Sequence, residues 1–129
     1  MKKTALPCPC GSGRPLAQCC QPYLSGHASA PNAEALMRSR YSAYSLGAED
    51  YLLRTWHPST RPASLDLTQP PQPKWIGLNV IAHQQQDQEH ATVHFVARYR
   101  VGGRAERLTE LSRFVLEQGQ WFYVDGDVA

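Results

Sequence analysis

Between residues 33 and 46, Ala33, Leu36, Met37, Arg40, Tyr41 and Tyr44 recur every three to four positions, and that period predicts an amphipathic helix. Asn32 stands where a helix N-cap belongs and Gly47 where a C-terminal glycine would stop it. A second helix is expected over 49–56, with Leu52, Leu53 and Trp56 on one side. Pro58 ends it by forcing His57 out of the helical region. Residues 58–73 hold Pro58, Pro62, Pro70, Pro71 and Pro73, half of the ten prolines, so this connector should carry no long regular element.

After the connector the period changes from about 3.6 to 2. A β-prone run covers 74–86, and Asp87-Gln88-Glu89 turns it back. Over 91–101, Val93, Phe95, Ala97 and Tyr99 alternate with His94, Arg98 and Arg100. Gly102-Gly103 is a hairpin signal; a third strand over 104–117 and a fourth over 120–125 follow, with Gln118-Gly119 and Asp125-Gly126 as turns. Helices, a connector and four strands in that order make an α+β fold, an antiparallel meander with its apolar face covered by the helices. A sheet curled around helices forms a cone whose open end can hold a ligand.

Strand period places Glu110, Ser112 and Phe114 on one face of the third strand, and Trp121, Tyr123 and Asp125 on one face of the fourth. Phe114 marks its face as inward, so Glu110 should come with it and need a partner, with Arg38, Arg40, Tyr41 and His57 as candidates. A Glu110/His57 acid–base pair at the cone mouth is the catalytic candidate, suited to isomerase- or hydratase-like chemistry. The competing reading, which the sequence favours, is a polar cluster that orients helix against sheet, because no nucleophile motif, phosphate loop or open metal site accompanies the pair. The candidate cavity lining is Arg38, Tyr41, Tyr44, Trp56, His57, Glu110, Ser112, Trp121 and Tyr123.

The cysteines change the picture of the amino-terminal end. All four lie in Cys8-Pro9-Cys10-Gly11-Ser12-Gly13-Arg14-Pro15-Leu16-Ala17-Gln18-Cys19-Cys20, a C-x-C and a C-C separated by eight residues. Tetrahedral zinc takes four sulfurs at about 2.3 Å, so two tight segments must face each other. Gly11-Ser12-Gly13 can supply the turn, and Ser12 is a candidate cap for a short helical turn over 15–20. A disulfide between Cys19 and Cys20 would close a strained ring, and the C-x-x-C of redox sites is missing, so structural zinc is the favoured reading over disulfide and redox ones. Four protein ligands leave no position for a reacting water. His27 is only a remote spare ligand, and His83, His90 and His94 carry no clear chemistry.

Length and composition bound the rest. At 129 residues the chain can hold one domain plus a short accessory module, divided here as a knuckle over 1–27 and an α+β domain over 28–129. An apolar content of 42% is enough for a core. No apolar run approaches the ~18–20 residues of a membrane span, and Met1-Lys2-Lys3-Thr4 leads into Ala5-Leu6-Pro7 rather than an apolar signal core; a cytoplasmic protein without membrane insertion is expected. The net charge of +2 is too small to favour nucleic-acid binding, although Lys2, Lys3, Arg14, Arg98, Arg100, Arg104 and Arg107 are basic.

The segment CPCGSGRPLAQCC resembles the SEC-C motif, the zinc knuckle at the carboxyl end of the SecA translocation ATPase. The resemblance implies zinc at Cys8, Cys10, Cys19 and Cys20, and a docking role toward protein partners of the secretion or translation machinery. The knuckle followed by Ala35-Leu36-Met37-Arg38-Ser39-Arg40-Tyr41-Ser42-Ala43-Tyr44, Thr55-Trp56-His57-Pro58, Glu110-Leu111-Ser112-Arg113-Phe114 and Trp121-Phe122-Tyr123-Val124-Asp125-Gly126 is similar to the YchJ family over nearly the whole chain. That resemblance implies a nuclear transport factor 2-like fold. Some members carry a second knuckle near the carboxyl end; residues 21–129 here contain no cysteine.

Overall fold

The computed structural model describes residues 6–67 and 72–129, which leaves Lys2, Lys3, Pro70 and Pro71 outside the described residues. A 3-10 turn at Leu16–Gln18 leads into helices α1 (Gln21–Leu24), α2 (Ala33–Leu46) and α3 (Glu49–Arg54). Strands β1 (Lys74–Gln85), β2 (His90–Val101), β3 (Arg104–Glu117) and β4 (Gln120–Val128) form one antiparallel sheet in sequence order. The meander is the expected one. Between α3 and β1 the described residues form no helix or strand.

Helix α2 begins where the Asn32 side chain accepts a hydrogen bond from the Ala35 amide at 2.8 Å, satisfying a donor that the first turn leaves open. It ends at Gly47, whose φ of 75° lies in the left-handed region. The helix crosses the concave face of the sheet and touches β1, β2 and β4. Leu36, Met37 and Tyr41 share one core with Val93, Phe95, Ala97, Phe114 and Trp121. Burial extends beyond a single apolar stripe, because Ser39, Ser42 and Ala43 are buried too. Ser39 donates to Leu36 O and meets Tyr51 OH at 2.7 Å under α3, while Ser42 meets Cys8 of the knuckle.

Four expectations change. Helix α3 stops at Arg54 rather than at 56, because the chain is then pinned to β4: Tyr123 N donates to Thr55 O at 2.9 Å and His57 N to Tyr123 O at 2.7 Å. Strand β1 stops at Gln85 and β2 starts at His90, a residue's difference at each end of the turn. The pairing of β1 skips Ile76 and Ile81, two bulges that leave these side chains exposed.

The largest change lies in β4, which continues to Val128 instead of turning at Asp125-Gly126. Phe114 pairs with Tyr123 but Arg113 pairs with Asp125, so Val124 is the extra residue of a bulge. A bulge inverts the alternation beyond it. Trp121 and Tyr123 keep the inner face, whereas Asp125 turns outward to accept from Arg113 Nε at 2.6 Å, with Asp127 on the same guanidinium at 2.9 Å. The expected Trp121/Tyr123/Asp125 face is therefore broken. Gly126 takes the inner position opposite Ser112.

Candidate metal centre and cone cavity

The knuckle is two short segments folded back on each other. Cys8 N donates to Arg14 O at 3.0 Å and Leu16 N to Leu6 O at 2.8 Å, and a backbone bridge joins Pro7 to Pro15. Gly11 and Gly13, with φ of 78° and 84°, make the reversal that a side-chain-bearing residue would resist. The 3-10 turn then returns Cys19 and Cys20 to the first pair. All four sulfurs lie within 4.8 Å of one another, with Cys10 to Cys19 at 3.6 Å and Cys19 to Cys20 at 4.0 Å. A tetrahedral four-thiolate centre needs about 3.8 Å between sulfurs, so the set fits a metal ion.

Hydrogen bonding makes the thiols unequal. Cys20 leads the donors that hold Cys10 well below the usual thiol range, against the opposing effect of burial, while the same pairing pushes Cys20 upward. Burial raises Cys19. Ser12 Oγ sits 3.1 Å from Cys19 Sγ and accepts from Arg14 N at 3.2 Å; it supports a ligand and does not cap the turn, whose N-cap is Pro15. His27 bonds to Ser25 and is not one of the group.

Cys8, Cys10 and Cys20 are buried and belong to the same apolar cluster as α2. Cys8 Sγ lies 3.4 Å from Ser42 Oγ, and Arg38 donates from Nη1 to Cys10 O at 3.0 Å and from Nε to Glu34 Oε2 at 3.0 Å. Burial opposes the Arg38 charge, but the Glu34 carboxylate and Cys10 more than offset it, and its pKa rises. Arg38 therefore stands at the seam between knuckle and helix, not in the cavity lining where the sequence had placed it.

The cone holds a partly open cavity of about 280 Å³. Helix α2 supplies Met37, Arg40, Tyr41 and Tyr44 to its lining. The sheet supplies Trp75, Phe95, Ala97, Leu108, Glu110, Ser112, Phe114 and Tyr123. Of the expected lining, Tyr41, Tyr44, Glu110, Ser112 and Tyr123 are found there. Trp56 instead lies edge-on to Tyr123 at 5.0 Å behind the wall, and Trp121 lines a separate recess of about 170 Å³ with Tyr23, Leu36 and Tyr51.

The proposed Glu110/His57 pair does not form. His57 Nε2 meets Glu117 Oε2 at 2.9 Å and its ring packs edge-on against Phe122, whose side chain alternates away from that of Tyr123. The early end of α3 places His57 there. Glu110 Oε2 accepts from Ser112 Oγ at 2.7 Å and from Tyr123 OH at 3.1 Å, so none of the partners expected from sequence bonds to it. Burial and then the Glu110 charge push the Tyr123 pKa upward.

Arg40 lies on the same wall, 5% exposed, and donates from Nη1 to Leu52 O at 2.8 Å and Thr55 Oγ1 at 2.7 Å. Its guanidinium carbon sits 4.6 Å from the Tyr123 ring centre and 5.1 Å from that of Trp56. Burial lowers its pKa, with the surrounding tyrosines and Glu110 opposing. Arg40, Met37, Trp75, Phe95, Ala97, Leu108 and Phe114 were not among the expected lining residues. The apolar ones follow helix or strand period as core residues do, and nothing in that period separates a filled core from an open one.

Two family models match this chain: the SEC-C motif over residues 6–22, and the YchJ middle domain, described as nuclear transport factor 2-like, over residues 32–126. The chain belongs to the YchJ family. A UPF0225 protein of Cupriavidus pinatubonensis is 56% identical over 98% of this chain and 92% of its own length. Another from Chromobacterium violaceum is 57% identical over 99% and 97%. Among solved structures, the SEC-C motif protein RPA3114 of Rhodopseudomonas palustris shares 35% identity at a TM-score of 0.84, covering 95% of this chain and 98% of that one. A SEC-C motif protein of Psychrobacter arcticus shares 30% identity at a TM-score of 0.80, covering 95% and 82%. In this YchJ-family chain the α+β domain is thus nuclear transport factor 2-like, and the cysteine cluster is the SEC-C knuckle ahead of it. Among the described residues no helix is long and apolar enough to cross a membrane.

Proposed function

We propose that the knuckle binds one structural zinc ion and that the protein works in the cytoplasm as a docking module without catalysis at the metal. The carrying observation is the orientation of the knuckle: Cys8, Cys10 and Cys20 are buried in the cluster that includes α2, while Leu6, Pro7, Gly11, Gly13, Arg14, Ala17 and Gln18 remain exposed. Four cysteines close the coordination sphere, so zinc would hold this surface in shape and activate no water. The outer face is small-residued and nearly uncharged apart from Arg14, with Leu6 73% exposed, which suits contact with a protein better than with nucleic acid. The likeness to the SecA knuckle directs the search to the secretion and translation machinery.

Two measurements test the proposal. Metal analysis should return about one zinc per chain, and none would remove its basis. A Leu6→Asp/Ala17→Asp variant alters only exposed side chains and should keep its zinc and its melting temperature. In crosslinking from cell extract it should lose partners that the parent protein captures. Identical partner sets from the two proteins would sink the docking role.

A further inference from the structure

We propose that the cone cavity binds a small, flat, uncharged ring compound whose edge carries a hydrogen-bond acceptor beside a donor, as an amide or lactam does. The inference does not depend on the docking role of the knuckle. It starts from the shape and chemistry of the wall. About 280 Å³ is close to the lower end of ligand pockets, room for one substituted or fused ring. Trp75 has Tyr41 at 5.7 Å, Tyr44 at 6.0 Å and Tyr99 at 5.3 Å between ring centres, and the first three rings line the cavity. Phe114 and Tyr123, 5.8 Å apart, close the other side. Rings so arranged offer faces and edges to a flat guest.

Two opposite charges set the polarity of that guest. Arg40 and Glu110 both line the cavity, and among the described residues no ion pair joins them or gives either another charged partner. Both hydrogen bonds of Arg40 leave from Nη1, so Nε and Nη2 still have donors to give. Both hydrogen bonds to Glu110 arrive at Oε2, so Oε1 still accepts. An anionic guest would find Arg40 but would be held against Glu110, and a cationic guest would meet the reverse. In a low-dielectric cavity either mismatch is costly. A neutral guest that presents C=O toward Arg40 and N–H toward Glu110 completes both groups without adding charge. The Tyr44 hydroxyl, which has no hydrogen-bond partner among the described residues, also lines the cavity and can serve either role.

Three isosteric probes separate the cases: benzamide, benzoate and benzamidine, titrated into the full-length zinc-loaded protein and followed by amide and indole NMR shifts. Benzamide should bind at least about tenfold more tightly than either charged probe, the discrimination expected when one buried hydrogen-bonding group is left unpaired. Its shifts should centre on Trp75 and the inner residues of β2 and β3. Ala97→Leu, which fills the cavity, should abolish binding while circular dichroism shows the fold intact. Glu110→Gln removes the repulsion against anions and should improve benzoate at least about tenfold relative to benzamide. Absence of benzamide binding at 10 mM (about the weakest Kd that a one-ring ligand should show), equal or tighter binding of a charged probe, or benzamide shifts that survive Ala97→Leu would each overturn the proposal.

Discussion

Replacing Gly126 by alanine should move a carboxylate it never touches covalently. Gly126 lies on the inner face opposite Ser112, and a Cβ there would overlap the Glu110 carboxylate and the carbons behind it. Its backbone has no positive φ, so alanine itself is unstrained and the collision with Glu110 is the whole effect. To make room, Glu110 must leave Ser112 and Tyr123. Hydrogen bonds to a charged group contribute about 1.5–3 kcal/mol each, and partial access to water returns some of that, so Gly126→Ala should cost about 2–3 kcal/mol. For a domain of this size the melting temperature should fall by roughly 6–12 °C. The assay is urea unfolding followed by tryptophan fluorescence, in the parent and in a Glu110→Ala background. Without the Glu110 carboxylate the same glycine-to-alanine change should be neutral or stabilise by about 0.4–1 kcal/mol, through the stiffer unfolded chain. An equal loss in both backgrounds would refute the assignment and place the clash in the backbone.

Chelating the proposed zinc should do more than loosen residues 6–24. Because Cys8, Cys10 and Cys20 share the apolar cluster of α2, we expect a lower melting temperature for the whole protein, with hydrogen exchange accelerating first in the knuckle and α2 while the sheet persists; an unchanged melting temperature would contradict this. High pH should also destabilise the fold. Burial raises the pKa of Tyr41, Tyr44, Tyr51 and Tyr123, so the folded state holds protons that the unfolded chain releases near pH 10, and stability should be full below that value and fall as the pH rises above it. Absorbance at 295 nm during urea unfolding checks it: these tyrosines should ionise only with unfolding, and Tyr51→Phe together with Tyr123→Phe should flatten the alkaline slope.

Much of the fold was legible because its signals are local. The Asn32 cap, the Gly47 stop, the Gly102-Gly103 hairpin and the alternation of β2 each depend on a few neighbouring residues, and the cysteine spacing is as local as a motif can be. The misses come from contacts distant in sequence. Trp56 and His57 read as the end of a helix, yet Tyr123, 66 positions beyond His57, captures their backbone. Period two carried Asp125 inward, and only the pairing with β3 reveals that Val124 is an extra residue. That one residue moves an acidic side chain from the cavity to the surface and brings in Gly126, which makes space for Glu110. The lining erred for the same reason, since His57 and Arg38 were candidates as partners for Glu110, and Glu117 and Glu34, which hold them elsewhere, could not be foreseen as their neighbours.

Helix α2 is packed on both of its sides, by the sheet on one and by the cysteine segment and α3 on the other. Eight of its fourteen residues are buried, and only Ser45 and Leu46 count as exposed. An ordinary surface helix leaves about half its circumference free to vary; this one leaves little more than its last turn. Variation that the fold can absorb is therefore displaced to the turns and the outer face of the sheet, while a substitution such as Ser42→Leu or Ser39→Leu, harmless in most helices, would separate the cysteine segment or α3 from the rest.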